Sequence, residues 1–136
     1  MTLNQEYEAW ARNAAPAWEK AGADPAAALQ FARLYVYAWA KGLGPRITSL
    51  WRDPEKQKAM IAAWDRGDRA GLRARPADPT QSVHCLTGWF SAPKSRGMDM
   101  PCSNAANDSA CARLATDLGL TAGEYFRARD TGHYKA

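Results

Sequence analysis

The sequence predicts an α+β domain, and three observations carry that expectation. Apolar residues recur at three-to-four spacing in four stretches bounded by turn-forming residues. Between and after them lie runs too short for helices, with the composition of short strands. Helical and strand-like stretches alternate in mixed order, the pattern of an α+β architecture. At 136 residues the chain makes one domain, large enough to bury a core without staples.

Residues 4–20 read as a helix, because Tyr7, Trp10, Ala11, Ala14 and Trp18 fall on one face. Pro16 lacks the amide that a helix interior needs, so a kink or interruption is expected there. Asp24-Pro25 is a cap followed by proline at the first helical position, opening a second helix that runs to about Lys41. Its expected inner face is Ala28, Phe31, Ala32, Tyr35 and Trp39, and Gly42 and Gly44-Pro45 stop it. Tyr35, Tyr37 and Trp39 have two readings, a sugar-stacking platform or core, and aromatic residues at helical spacing favour core. Residues 47–51 alternate like a short strand. Asp53-Pro54 opens a third helix, from Glu55 to about Gly67, with Met60, Ile61 and Trp64 inward. Residues 67–79 have a loop composition. Residues 81–87 and 97–100 read as strands joined by a long connection through Trp89, Pro93 and Lys94. Residues 104–118 read as the fourth helix, with Ala105, Cys111, Leu114, Ala115 and Leu118 inward and Gly119 at its end. Residues 124–127 and 132–135 read as final strands.

Composition narrows the partners. The charge of +4 suits an anionic partner, but Lys and Arg are scattered with no basic run, so nucleic acid is not expected and a carboxylate-rich bacterial cell wall fits equally well. No apolar run approaches the roughly 20 residues of a membrane span. The acidic start, without an apolar segment after it, does not read as a signal peptide. The three cysteines, Cys85, Cys102 and Cys111, contain no Cys-x-x-Cys pair, which argues against a cysteine zinc site. Cys102 and Cys111 either close a short disulfide loop or remain buried thiols.

Only two histidines occur, His84 and His133, and aspartates lie in the segments around them and between them. His84, Asp99 and His133 form a suitable ligand set for a catalytic zinc, which takes three protein ligands at about 2.0–2.2 Å and keeps a fourth position for water. Asp130 precedes His133 by three residues, with Thr131 and Gly132 able to turn between them. An acid so placed stands beside a metal without binding it, and can take the proton of a water whose pKa the metal has lowered to about 7.

Four segments, in order, resemble the zinc-dependent D-Ala-D-Ala carboxypeptidase and L-alanyl-D-glutamate endopeptidase family. Ile47-Thr48-Ser49-Leu50-Trp51-Arg52-Asp53-Pro54-Glu55-Lys56-Gln57 resembles its Tyr-Arg-Ser-x-x-x-Gln segment. Arg75-Pro76-Ala77-Asp78-Pro79-Thr80-Gln81-Ser82-Val83-His84 is similar to the approach to its Ser-x-His motif. Gly97-Met98-Asp99-Met100 resembles its Gly-x-Ala-x-Asp strand. Leu118-Gly119-Leu120-Thr121-Ala122-Gly123, followed by Phe126 and Asp130-Thr131-Gly132-His133-Tyr134, resembles its closing segment. The match covers about residues 45–135, and its order gives four weak motifs joint weight. Within the family it leans toward phage-encoded cell-wall endopeptidases.

The resemblance implies a small antiparallel sheet carrying a zinc site and flanked by helices, a hedgehog/DD-peptidase-like fold, with residues 45–136 as catalytic core and residues 1–44 as an added helical segment. It implies His84, Asp99 and His133 as zinc ligands, Asp130 as base and Arg52 at the scissile carbonyl or its oxyanion, with Ser82 and Gln57 in the substrate cleft. The expected protein is a monomeric peptidoglycan peptidase of phage origin, made in the host cytoplasm and released to the wall or carried there by a virion. A non-catalytic phage structural or wall-binding module that keeps the fold is the alternative. Three departures stand out. His84 and Asp99 are 15 positions apart, about twice the family's usual separation, so residues 87–96 form an insertion in which Trp89 and Phe90 are placed to narrow the cleft. Gly97 stands where the family usually has alanine. Residues 1–44 have no counterpart, and bracing helices or a wall or virion contact are the two readings of them.

Overall fold

Each of the four expected helices starts at a side chain that caps it. In a computed structural model, which describes residues 2–72, 74–79, 81–85, 94–127 and 129–136, these are α1 (Gln5–Lys20), α2 (Pro25–Ala40), α3 (Pro54–Asp65) and α4 (Ala105–Asp117). Asn4 Oδ1 accepts from the amides of Glu6 and Tyr7, Asp24 from Ala26, Asp53 from Glu55 and Asn104 from Asn107. A cap of this kind stabilises its helix by about 1 kcal/mol. The expected interruption at Pro16 does not occur, since α1 continues to Lys20. Pro16 lies on the exposed face, where water can serve the Arg12 carbonyl that its missing amide leaves unbonded.

Helix α2 is buried on more than one side. Ala32 and Val36 meet Ala11 of α1, whereas Phe31, Leu34, Tyr37 and Ala38 enter the main core. That core also takes Met98, Met100, Cys111, Leu114 and Tyr134 from around the sheet and α4, so residues 1–44 brace the part of the chain that carries the histidines. Trp39 is not part of an inner face. It is 60% exposed and meets Trp10 edge-on with ring centres 6.2 Å apart. Tyr37 is core, its hydroxyl accepting the Asn4 amide at 2.9 Å.

The sheet is antiparallel, built from β1 (Gly97–Asp99), β2 (Thr121–Ala122) and β3 (His133–Lys135) in the order β1-β3-β2. Gly97 pairs with Lys135, Met98 with Tyr134 and Asp99 with His133, and β2 sets Thr121 and Ala122 against Lys135 and Tyr134. Alternation sends Met98, Tyr134 and Ala122 into the core. Gly97, Asp99, His133 and Lys135 therefore share the opposite face.

Several expected strands are reduced or replaced. Residues 47–51 contribute one antiparallel bridge, Ser49 to Asp99, rather than a strand. Residues 81–85 form turns, and residues 86 and 87 lie outside the described residues. Residues 124–127 are no strand, because Gly123–Tyr125 winds into a 3-10 turn directly after β2. In α3 only Gln57 is fully buried, with Met60, Ile61 and Trp64 half-buried. In α4 Ala105 is exposed, and Asp108 takes the inner position, its carboxylate accepting the Cys102 amide at 2.6 Å. All three cysteines are buried and free. Hydrogen bonding to the Cys111 thiol, together with burial, pushes the Cys102 thiol up and keeps it protonated. Among the described residues, no helix is long and apolar enough to cross a membrane.

Candidate metal centre

His84 is delivered by a tight turn. The Asp78 carbonyl accepts the amides of Gln81 and Ser82, Cys85 N–H donates to the Ser82 carbonyl, and Ser82 Oγ accepts the His84 amide at 3.3 Å. The imidazole is 4% exposed, with Nδ1 2.6 Å from the Leu50 carbonyl. A carbonyl only accepts, so Nδ1 carries a proton, and the metal-binding form of the ring would present its Nε2 lone pair. Nε2 faces His133 Nδ1 at 3.4 Å and Asp99 Oδ1 at 3.6 Å. Asp99 and His133 meet through the sheet register, with His133 Nδ1 3.0 Å from Asp99 Oδ1. Burial works to raise the Asp99 carboxyl, but hydrogen bonds from His133 and His84 and their charge outweigh it, holding the group well below the usual carboxylate range.

These three residues are, among the described residues, the one His/Cys/Asp/Glu group that could hold a metal ion. A tetrahedral ion with ligands at about 2.0–2.1 Å spaces its donors about 3.3–3.4 Å apart. The observed separations of 3.0, 3.4 and 3.6 Å bracket that value. Two imidazoles and one carboxylate suit zinc and neighbouring transition metals, and disfavour magnesium or calcium, which prefer all-oxygen sets. The residues present fit a zinc ion.

The other expected site residues line the same open cleft, of about 560 Å³, but some are occupied within the protein. Arg52 lies over Asp99, its Nη2 3.4 Å from Oδ2 and 3.2 Å from Ser49 Oγ. Its Nη1 donates to Gln57 Oε1 at 2.7 Å, and Gln57 Nε2 donates to the Ala77 carbonyl at 2.8 Å. Gln57, 2% exposed, is thus a support for Arg52, and Ser82 a support for His84. Asp130 lines the cleft beside Thr131 and Gly132. Trp89 and Phe90 lie outside the described residues, so their expected narrowing of the cleft does too.

Three residues to which the sequence alone assigns no role hold the centre together. Ser95 is fully buried, its hydroxyl 2.6 Å from the Gly97 carbonyl and 2.9 Å from the same Leu50 carbonyl that fixes His84. Its backbone bonds Gly22 and Asp24, tying the α1–α2 connection to the site. Glu124 accepts from Ser109 Oγ of α4 and Thr131 Oγ1, both at 3.0 Å, and pairs with Arg129. That carboxylate braces the turn bearing Asp130 and His133. Gly123 accepts the Asp130 amide at 2.9 Å, and a Cβ there would overlap the Asp130 carbonyl. A buried serine and a loop glutamate carry no periodicity, so no sequence signal marks them.

A scan of protein-family models finds no match to the chain, and a search of curated proteins finds no significant relative.

Proposed function

We propose that the chain is a zinc-dependent peptidase that hydrolyses peptide bonds in the stem peptides of peptidoglycan, in the manner of a phage lysin. The observation that carries the reading is the meeting of His84, Asp99 and His133, from segments up to 49 positions apart, at zinc-compatible spacing beneath an open cleft. Their identity and order are those of the family resemblance, which supplies the substrate class.

Bound zinc would supply Lewis acidity to a water and to the substrate carbonyl. The chain's own residues do the rest. The Leu50 carbonyl keeps a His84 proton on Nδ1, which leaves Nε2 to bind metal together with His133 Nδ1 and Asp99 Oδ1. Arg52, held by Gln57 and Ser49, fixes Asp99 and offers positive charge at the cleft wall, where an oxyanion would develop. Asp130 takes a proton from the attacking water and returns it to the leaving nitrogen as the C–N bond breaks, giving a carboxylate and an amine.

The test is loss of turbidity of purified cell walls, with mass spectrometry of the released fragments. Zinc-loaded protein is expected to clear walls and release peptide-bond cleavage products, and a chelator to stop it. Undiminished clearing by metal-free protein, or zinc binding without hydrolysis of any muropeptide, would contradict the reading, the latter pointing to a wall-binding module.

A further inference from the structure

Among the described residues, the charged lining of the cleft contains one with no assigned task. Its cations among these residues are Arg52, Arg75 and Lys135 and its anions Asp99 and Asp130, a formal sum of +1 before any metal binds. Arg52 is engaged with Asp99, and Arg75 with Asp65. Lys135 has no acid partner among the described residues. It lies two positions after His133 on the central strand, with Tyr134 between them buried in the core, so both side chains rise from the cleft face. Across the register from Lys135 stands Gly97, which contributes no side chain to that face. The space that a Gly97 Cβ would claim is taken by Val83 and the His84 ring. Lys135 thus lines the cleft with no acid partner among the described residues, its Cα about 6.8 Å along the strand from that of His133.

We propose that Lys135 anchors a free carboxylate of the substrate, so that the cleft selects peptides bearing an acid within about two residues of the bond at the metal centre. This rests on the peptidase reading above and adds to it the charge of the substrate. Divalent metal would raise the positive field of the cleft and draw the same ligand. In a stem peptide with lysine at the third position the acid is either the α-carboxylate of the D-glutamyl residue or the C-terminal carboxylate, and the two are separable by amidating one at a time.

The test measures binding as well as turnover. Zinc-loaded and metal-free full-length chain, as wild type, Lys135→Met and Lys135→Arg, is titrated calorimetrically with a synthetic stem peptide and its two mono-amides. Wild type is expected to prefer the acid over one of the amides by about fivefold in Kd, the scale of an exposed charge pair. Lys135→Met should bring that ratio to about one, and Lys135→Arg should restore it. The same ratios should appear in kcat/KM. A preference for the acid that survives Lys135→Met, or equal binding of acid and amides by wild type, would overturn the anchor. Lysine-dependent acid binding without hydrolysis would keep the anchor and refute the peptidase reading, so the two failures are distinct.

Discussion

Gly97→Ala is the smallest change expected to disturb the centre. The Cβ it adds would sit roughly 1 Å inside the ~3.5 Å of an ordinary carbon contact with Val83 Cγ2. It would also lie 3.2 Å from His84 Nε2, the atom that faces His133 and Asp99. Gly97 is extended within β1, so alanine meets no backbone strain and the penalty is steric. Overpacking costs about 1–3 kcal/mol, and the loss of unfolded-chain freedom on replacing glycine returns about 0.4–1 kcal/mol. A net destabilisation of about 1–2 kcal/mol is expected in urea unfolding of the metal-free chain. Crowding at Nε2 should also weaken zinc binding by about tenfold. Val83→Ala removes the obstructing methyls, so the double variant should recover at least 1 kcal/mol relative to the sum of the singles. Strict additivity, or a Gly97→Ala chain as stable as wild type with unchanged zinc affinity, would refute the reasoning.

Other outcomes follow from the same contacts. Ser95→Ala strips hydrogen bonds from the Leu50 and Gly97 carbonyls, the second of them buried, and should cost about 1–3 kcal/mol by urea unfolding, with a Tm decrease by calorimetry. At Glu124, burial opposes the charged form, but hydrogen bonds from Ser109 and Thr131 and the Arg129 guanidinium outweigh it, holding the carboxyl below the usual range. Its stabilisation is therefore present above the unfolded-chain value near 4.5 and is lost as pH falls through the lower folded value. Glu124→Gln should flatten that acid limb in a pH series of unfolding free energies, and Glu124→Ala should weaken zinc binding by loosening the turn that carries His133. Asp130→Ala should retain one zinc per chain by atomic absorption while muropeptide turnover falls by about 10²-fold or more. Near-wild-type turnover would remove Asp130 as base.

Much of the scaffold was legible because helices announce themselves. Asn4, Asp24-Pro25, Asp53-Pro54 and Asn104 mark helix starts by local chemistry that the tertiary structure does not override. The strands were less legible. Residues 81–85 have the composition of a strand, but the Asp78 carbonyl and Ser82 hydroxyl supply turn partners that a pattern of apolar residues does not encode. Thr121 and Ala122 pair with the central strand only because the 3-10 turn after them folds the chain back on itself. His84 and His133 were nameable because histidine is scarce in this chain, and Asp99 because the family resemblance picks it out among the aspartates. Their supports, Ser95 and Glu124, act through distant partners such as Leu50 and Ser109, which only the folded structure brings near. Trp39 misled as a core aromatic because α2 is crowded on two sides and turns its last turn outward against Trp10.

The central claim is that His84, Asp99 and His133 form a metal centre. Its most direct test is equilibrium titration of the metal-free chain with zinc, alongside His84→Ala. One tight zinc per wild-type chain is expected, with a thermal stabilisation that grows with free zinc and loss of both in His84→Ala. Wild type that binds no stoichiometric zinc, or His84→Ala that binds it equally well, would rule out a metal centre at His84, Asp99 and His133.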